Sequence, residues 1–268
     1  MAGPDSEARK RAGLTLTVVV AAFVLIGGAV AVVVSHNVTA PTSAAPPAAD
    51  TTPTAPGPTS RQGTAEEHAL ATRRMLALPA QAAQPQALTA WTAGPPIEVP
   101  KPTTTADRWV PEGFPATPEG ALGQLKALNQ TTMSAADPEV YARGYRETAE
   151  PGAPDPSTTG LTSLLTSLRS RAQLPERGPV AGLTATYDIT HGQIKGIASN
   201  GRYVVACVLG QFSVSINGNV VSRGVGDCQA MRWTGTQWRI ASGPLAAPAP
   251  SAWPGSPDAV KAGYRELV

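Results

Sequence analysis

The chain reads as an α+β protein: an N-terminal transmembrane helix, a Pro-rich linker, then helices packed on a curved antiparallel sheet. Three observations predict this. Residues 12–35 carry no charged side chain and directly follow Arg9, Lys10 and Arg11. Between residues 36 and 108, alanine, proline and threonine dominate. From residue 109 onward apolar residues recur at helical spacing, and beyond Val180 they alternate. A period of about 3.6 giving way to one of about 2 marks a block of helices followed by a block of strands.

The apolar run fixes topology. Residues 14–34 are built from Val, Ala, Leu, Ile, Phe, Gly and the two threonines Thr15 and Thr17. As a helix they rise about 31 Å, which matches a hydrocarbon core of about 30 Å. Basic residues on a short N-terminal flank stay in the cytoplasm. Residues 1–11 are therefore expected as a cytoplasmic tail and 12–35 as a single-pass signal-anchor in the cell membrane, with the C-terminal domain extracytoplasmic. The competing reading is a cleaved signal peptide, whose apolar region usually spans only about 7–15 residues. Val38-Thr39-Ala40 has the small residues of a cleavage site, but Pro41 follows it. Gly27 and Ala31 have the spacing that lets two spanning helices approach closely.

Charge and cysteine content exclude several classes. The net charge of +2 comes from 21 basic and 19 acidic residues. No basic stripe with interleaved aromatics occurs, so nucleic acid is not an expected partner. The two cysteines are too few for a metal cluster and too far apart for a redox Cys-x-x-Cys. Both lie in the exported part, where thiols oxidise.

From Val38 to Gly63 the only charges are Asp50 and Arg61. Such a segment buries too little apolar surface to offset the entropy of ordering, so it is expected as a disordered, extended linker. Residues 64–78 predict one short helix with Thr64 as N-cap, Glu67 completing a capping box and Pro79 as the stop. The Pro-rich segment 85–111 is expected to be irregular, with Trp91 and Trp109 as packing anchors.

The folded domain is expected to span 109–268. Thr117-Pro118-Glu119 supplies an N-cap, a proline at the first helical position and an acid in the first turn. That helix should run to about Gln130 with Ala121, Leu122, Leu125 and Leu128 inward. Asp137-Pro138-Glu139 repeats the signal for a second helix through Val140, Tyr141 and Tyr145. A third runs from Gly160 to Leu174, with Leu161, Leu164, Leu165 and Leu168 on one face. Strands follow over residues 183–189, continuing at 194–198 after a turn near His191-Gly192, then over 203–216, 220–233 and 237–241. Ser256, Pro257 and Asp258 start a last short helix with Val260, Tyr264 and Leu267 along its apolar edge.

Asn217-Gly218 is a strong signal for a two-residue hairpin turn. Paired residues then sum to 435, and Cys207 and Cys228 sum to 435. Counting outward from Ile216 and Asn219, they fall on a non-hydrogen-bonded pair, with Cα atoms about 4.5 Å apart and within disulfide reach. A Cys207–Cys228 bridge is expected, unless Gly224 or Gly226 inserts a bulge that shifts the register. The alternative is two buried free thiols.

No catalytic constellation stands out, and the chain is not expected to be an enzyme. His36, His68 and His191 lack partners at metal-ligand spacing, and no cofactor-binding motif occurs. Asp188 and His191 would meet across the expected turn as an acid–base dyad, against which stands a plain surface turn. Asp137 reads as a helix cap and Asp227 as a strand-end residue. Tyr187 and Tyr203 would share a sheet concavity, as ligand-pocket tyrosines do, or pack in the core.

With these elements and the closing Trp233-Thr234-Gly235-Thr236-Gln237-Trp238-Arg239-Ile240, residues 109–267 resemble a nuclear-transport-factor-2-like, or cystatin-like, cone. The run from Val110 to Ala121 and the tail from Trp253 to Leu267 resemble single-pass membrane proteins of actinobacteria. Those are similar in layout to the bitopic components of conjugation and type IV secretion systems. The resemblance implies a membrane-anchored interaction module whose partners are the lipid bilayer and other envelope proteins, with a homo-oligomer left open. It carries over no catalytic residue, and the long Pro-rich insert and the cysteine pair depart from the secretion type. The alternatives are a small-ligand-binding or enzymatic cone, in which helix and sheet enclose an apolar pocket, and a cell-wall-associated stalk.

Overall fold

The computed structural model describes residues 58–104 and 109–268, with side chains from residue 64. The expected cytoplasmic tail, the transmembrane helix over 12–35 and the linker up to residue 57 lie outside the described residues. Among the described residues, no helix is long and apolar enough to cross a membrane.

The chain folds as α+β, with helices on a five-stranded antiparallel sheet. The helices are α1 (Pro58–Thr72), α2 (Pro118–Met133), α3 (Pro138–Thr148), α4 (Gly160–Arg171) and α5 (Pro257–Lys261). The strands are β1 (Leu183–Ala198), β2 (Tyr203–Ile216), β3 (Asn219–Trp233), β4 (Trp238–Ile240) and β5 (Arg265–Glu266), in sheet order β4-β3-β2-β1-β5. The capping signals of α2 and α3 hold. The Thr117 hydroxyl accepts from the Gly120 amide at 3.1 Å and the Asp137 carboxylate from the Glu139 amide at 2.9 Å.

Hairpin β2–β3 runs without a break from Ile216↔Asn219 to Tyr203↔Arg232, so neither Gly224 nor Gly226 shifts its register. Asn217 and Gly218 take the positive φ values, 50° and 83°, that the two-residue turn demands. Cys207 faces Cys228 with Cα atoms 4.1 Å apart and sulfurs at disulfide distance, 1.99 Å. The turn expected near His191-Gly192 is instead a bulge: β1 is one continuous strand with extra residues at Thr190 and Lys195. Bulges bend a long strand while keeping its pairing, so the segment passes through where a turn was expected.

Both faces of the sheet are packed. Even-numbered β2 residues from Val204 to Ile216 line one core with Leu122, Leu125, Leu128, Tyr141, Tyr145, Leu161 and Leu165 from α2 to α4. Tyr203, Val205, Cys207 and Leu209 line the other, against Ala71, Met75, Leu78, Ala252, Ala259 and Tyr264. Tyr187 belongs to the first core and Tyr203 to the second, so the two tyrosines do not share a concavity. At the second face Gly224 and Gly226 let the C-terminal segment approach closely: a Cβ on Gly224 would sit 1.8 Å from the Ala252 carbonyl oxygen.

The segment read as linker contributes to this second core. Helix α1 begins before Thr64 and ends at Thr72, so Thr64 lies inside it rather than capping it. Glu67 turns to the sheet, where both carboxylate oxygens accept from Arg232 at 2.9 Å and the Ser199 hydroxyl donates at 2.5 Å. Beyond the helix, Lys195 Nζ donates to the Ala71 carbonyl at 2.9 Å, and Met75 Sδ lies 3.3 Å from Cys228 Sγ. Farther along, Ile97 bridges Leu267. Residues 67–97 thus form a strap across the sheet. Trp91 does not anchor it, being 77% exposed, whereas Trp109 lies under the Arg143 guanidinium at 4.0 Å.

The tail also differs. Helix α5 stops at Lys261, Gly263 takes φ 89°, and residues 265–266 pair with β1 at His191 and Gly192. Tyr264 faces inward, with its hydroxyl donating to the Pro250 carbonyl at 2.8 Å. That buried anchor wins over the helical pattern.

Candidate functional site

Asp227 is the strongest chemical candidate. Strand β3 pairs it with Val208 and so turns it to the helix-covered face. There α2 brings Asn129, whose Nδ2 donates to Asp227 Oδ2 at 2.9 Å, and Gln229 Nε2 donates to Oδ1 at 3.1 Å. Tyr141 and Tyr145, one turn apart on α3, and Tyr187 and Tyr264 lie close enough for their ionisation to be opposed by the Asp227 charge. Asn129 Oδ1 and the Tyr145 hydroxyl, both buried, have no hydrogen-bond partner.

Burial pushes the Asp227 carboxyl up to about 6, against which the Asn129 and Gln229 hydrogen bonds work. Burial, followed by the Asp227 charge, raises all four phenols above the ordinary range. The cluster can hold a proton near neutral pH, but it is closed: Asp227 is 6% exposed and Asn129, Tyr141 and Tyr145 are 0% exposed. A folded-state value above the unfolded one means the native state binds the extra proton. Its contribution to stability is therefore fully present below about pH 4 and is lost as pH rises to about 6. The loss amounts to about 3 kcal/mol. In thermal or denaturant unfolding, Asp227→Asn should gain about 3 kcal/mol on the native protein between pH 4 and pH 7. A pH-independent difference would show that Asp227 is ionised throughout that range.

The other sequence candidates are dispersed. Asp188 is exposed, whereas the His191 ring contacts the Thr190 hydroxyl at 2.9 Å, so the dyad does not form. Burial lowers the His191 value, opposed by Glu266. His68 is exposed on α1, and His36 lies outside the described residues. Asp137 caps α3 as expected and also meets the buried Arg169, with oxygen and nitrogen 3.4 Å apart. Among the described residues, no group of three or more His, Cys, Asp or Glu side chains is placed to hold a metal ion.

On the rim, Arg232 ties the strap to the sheet by pairing with Glu67 and with Glu150 at 3.1 Å. Burial pushes Glu67 up, but the Arg232 and Ser199 hydrogen bonds outweigh it and hold the carboxyl below its usual range. The Glu67 hydrogen bond in turn raises Arg232. Two open clefts mark the surface. One of about 550 Å³ runs between the strap at Ile97–Val99 and the start of α2, and one of about 420 Å³ is bordered by Tyr145, Glu150 and Asp155.

Sequence reasoning passed over the Asp227 cluster by reading Asp227 as a strand-end residue. Counting pairs outward from the turn gives a signal: Asp227 has the same parity as Val225 and Met231, and so faces inward with them. No protein-family model, curated protein or solved structure matches this chain.

Proposed function

We propose that this chain is a membrane-anchored extracytoplasmic interaction module, without catalytic activity, that serves in a conjugation or secretion assembly of the cell envelope. The anchor is the uncharged run 12–35 behind Arg9, Lys10 and Arg11. The observation that supports the reading best is the filled interior. Leu122, Leu125 and Phe212 occupy the space between helices and sheet where a cone-shaped enzyme keeps its substrate, and each is 0% exposed. Among the described residues, the carboxylic acid pushed farthest toward its protonated form, Asp227, is buried as well. What is left for function is the surface of a packed head, tethered to the membrane through the Pro-rich segment that follows the anchor.

Alkaline carbonate extraction and cross-linking in intact cells test this. The chain should stay with the membrane pellet, be digested by protease added from outside, and be captured with other envelope proteins. Release into the supernatant, or recovery as a lone chain with no cross-linked envelope protein, would overturn the proposal. A second reading rests on Tyr145, which borders an open cleft on one side and the Asp227 cluster on the other. That arrangement favours a small-ligand site, and saturable binding of a small molecule in the cleft would support it over the first.

A further inference from the structure

We infer that two copies of this chain pair edge to edge through β1, antiparallel about a twofold axis at Thr186. Hydrogen-bond parity decides which groups of β1 are left open. The Asn217 amide donates to the Gly182 carbonyl at 3.0 Å, which fixes the β1–β2 ladder: even-numbered β1 residues up to Asp188 bond to β2. The N–H and C=O groups of Ala185 and Tyr187 therefore point away from β2. Among the described residues no strand lies on that side before His191, where β5 begins to pair; the Leu267 amide reaches only as far back as the Thr190 carbonyl.

The free edge runs from Leu183 to Ile189, about 23 Å of strand. Exposed edges are ordinarily blunted by lysine, proline or a bulge. Leu183-Thr184-Ala185-Thr186-Tyr187-Asp188-Ile189 has no lysine or proline, Asp188 is its single charge, and the first bulge falls at Thr190. Its inward side chains, Ala185, Tyr187 and Ile189, are fixed in the helix-side core, while Thr184, Thr186 and Asp188 are exposed on the opposite face. The edge keeps an unbroken register with β2 and its inward side chains are packed, so pairing would order little more of the chain.

The occupant follows from the sequence of the edge. Two β1 strands fit antiparallel in a register where Ala185 exchanges hydrogen bonds with Tyr187 of the partner subunit, and Tyr187 with the partner's Ala185, giving four bonds. Thr186 then faces the partner's Thr186 on a non-hydrogen-bonded pair, and Thr184 faces the partner's Asp188. Cross-strand Thr–Thr pairs are favourable, and no two like charges meet. Moving the axis to Asp188 would set the two carboxylates against each other, which disfavours slippage that way. The contact is isologous and closes at two copies, joining the two sheets into one.

Cysteine scanning of the full chain in its membrane tests both the partner and the register. Opposed residues on a non-hydrogen-bonded pair have Cα atoms about 4.5 Å apart, within reach of a disulfide. Under mild oxidation Thr186→Cys should give a covalent dimer on a non-reducing gel. Thr184→Cys should not, because the two copies of residue 184 lie about 14 Å apart along the strands. Thr186→Asp, at an exposed position, should weaken self-association of the detergent-solubilised chain at least tenfold with the thermal unfolding of the dilute monomer unchanged. The inference is overturned if Thr186→Cys stays monomeric, if Thr184→Cys cross-links as readily, or if Thr186→Cys is captured by a different polypeptide.

Discussion

Arg169→Met should destabilise the head by about 3–5 kcal/mol, the usual cost of stripping one partner from a buried ion pair. Arg169 is 1% exposed on α4 and spends every arm of its guanidinium inside the protein. Nε donates to the Ala136 carbonyl at 2.7 Å, Nη1 to Pro175 at 2.9 Å and Nη2 to Gly178 at 2.9 Å. Asp137 Oδ2, 3.4 Å from Nη2, also accepts from the Gly178 amide at 2.6 Å. Methionine fills much of the volume but leaves three carbonyls without their donor and the Asp137 carboxylate without its counter-charge. Lysine would restore the charge but not the planar fork that reaches three carbonyls at once, so Arg169→Lys should recover only part of the loss. Arg146, paired with Glu139 at 3.4 Å where both side chains are more than half exposed, is the control, and Arg146→Met should leave stability nearly unchanged. Denaturant unfolding of the three variants measures this. Similar losses at 169 and 146 would mean that the Arg169 network is not holding α3, α4 and the loop at Gly178 together.

Replacing Cys207 and Cys228 together with alanine should cost about 3 kcal/mol, the chain-entropy effect of opening a loop of their separation, 21 residues. The bridge lies in the second core, with Cys207 0% and Cys228 4% exposed and Met75 Sδ 3.3 Å from one sulfur and 3.8 Å from the other. The strap therefore covers it. Reductant should leave the native fold intact at ambient temperature and act only once the strap opens. The melting temperature with and without reductant, compared with that of the double alanine variant, separates the two effects. A change below about 1 kcal/mol in the double variant would show that the hairpin is held by its ladder and core alone.

What the sequence carried was local or periodic. The Asn217-Gly218 turn set a register that holds for the whole hairpin because no bulge intervenes. Thr117 and Asp137 were legible as caps because a cap bonds to its own next turn. Glu67 misled for the same reason: Thr64-x-x-Glu67 has the local pattern of a capping box, but its partner, Arg232, is 165 residues away. No window of sequence contains that pair. The strap as a whole was illegible because its anchors are single residues, Glu67, Ala71, Met75 and Ile97, set among prolines and lacking any period. Tyr187 and Tyr203 read as pocket tyrosines or as core packing, and both pack in a core, on opposite faces: Tyr203 differs in parity from Phe212, which faces Tyr187 across the ladder. Asp227 read only as a strand-end residue because a lone acid in a strand says nothing by itself of the asparagine and tyrosines that two helices bring to it.

Intact-mass measurement of the mature chain, purified from membranes without reductant, tests the central claim most directly. The tethered-head account predicts a polypeptide that still contains residues 12–35 and weighs two hydrogens less than its fully reduced form. A mature chain beginning near Pro41, or one carrying two free thiols, would contradict it.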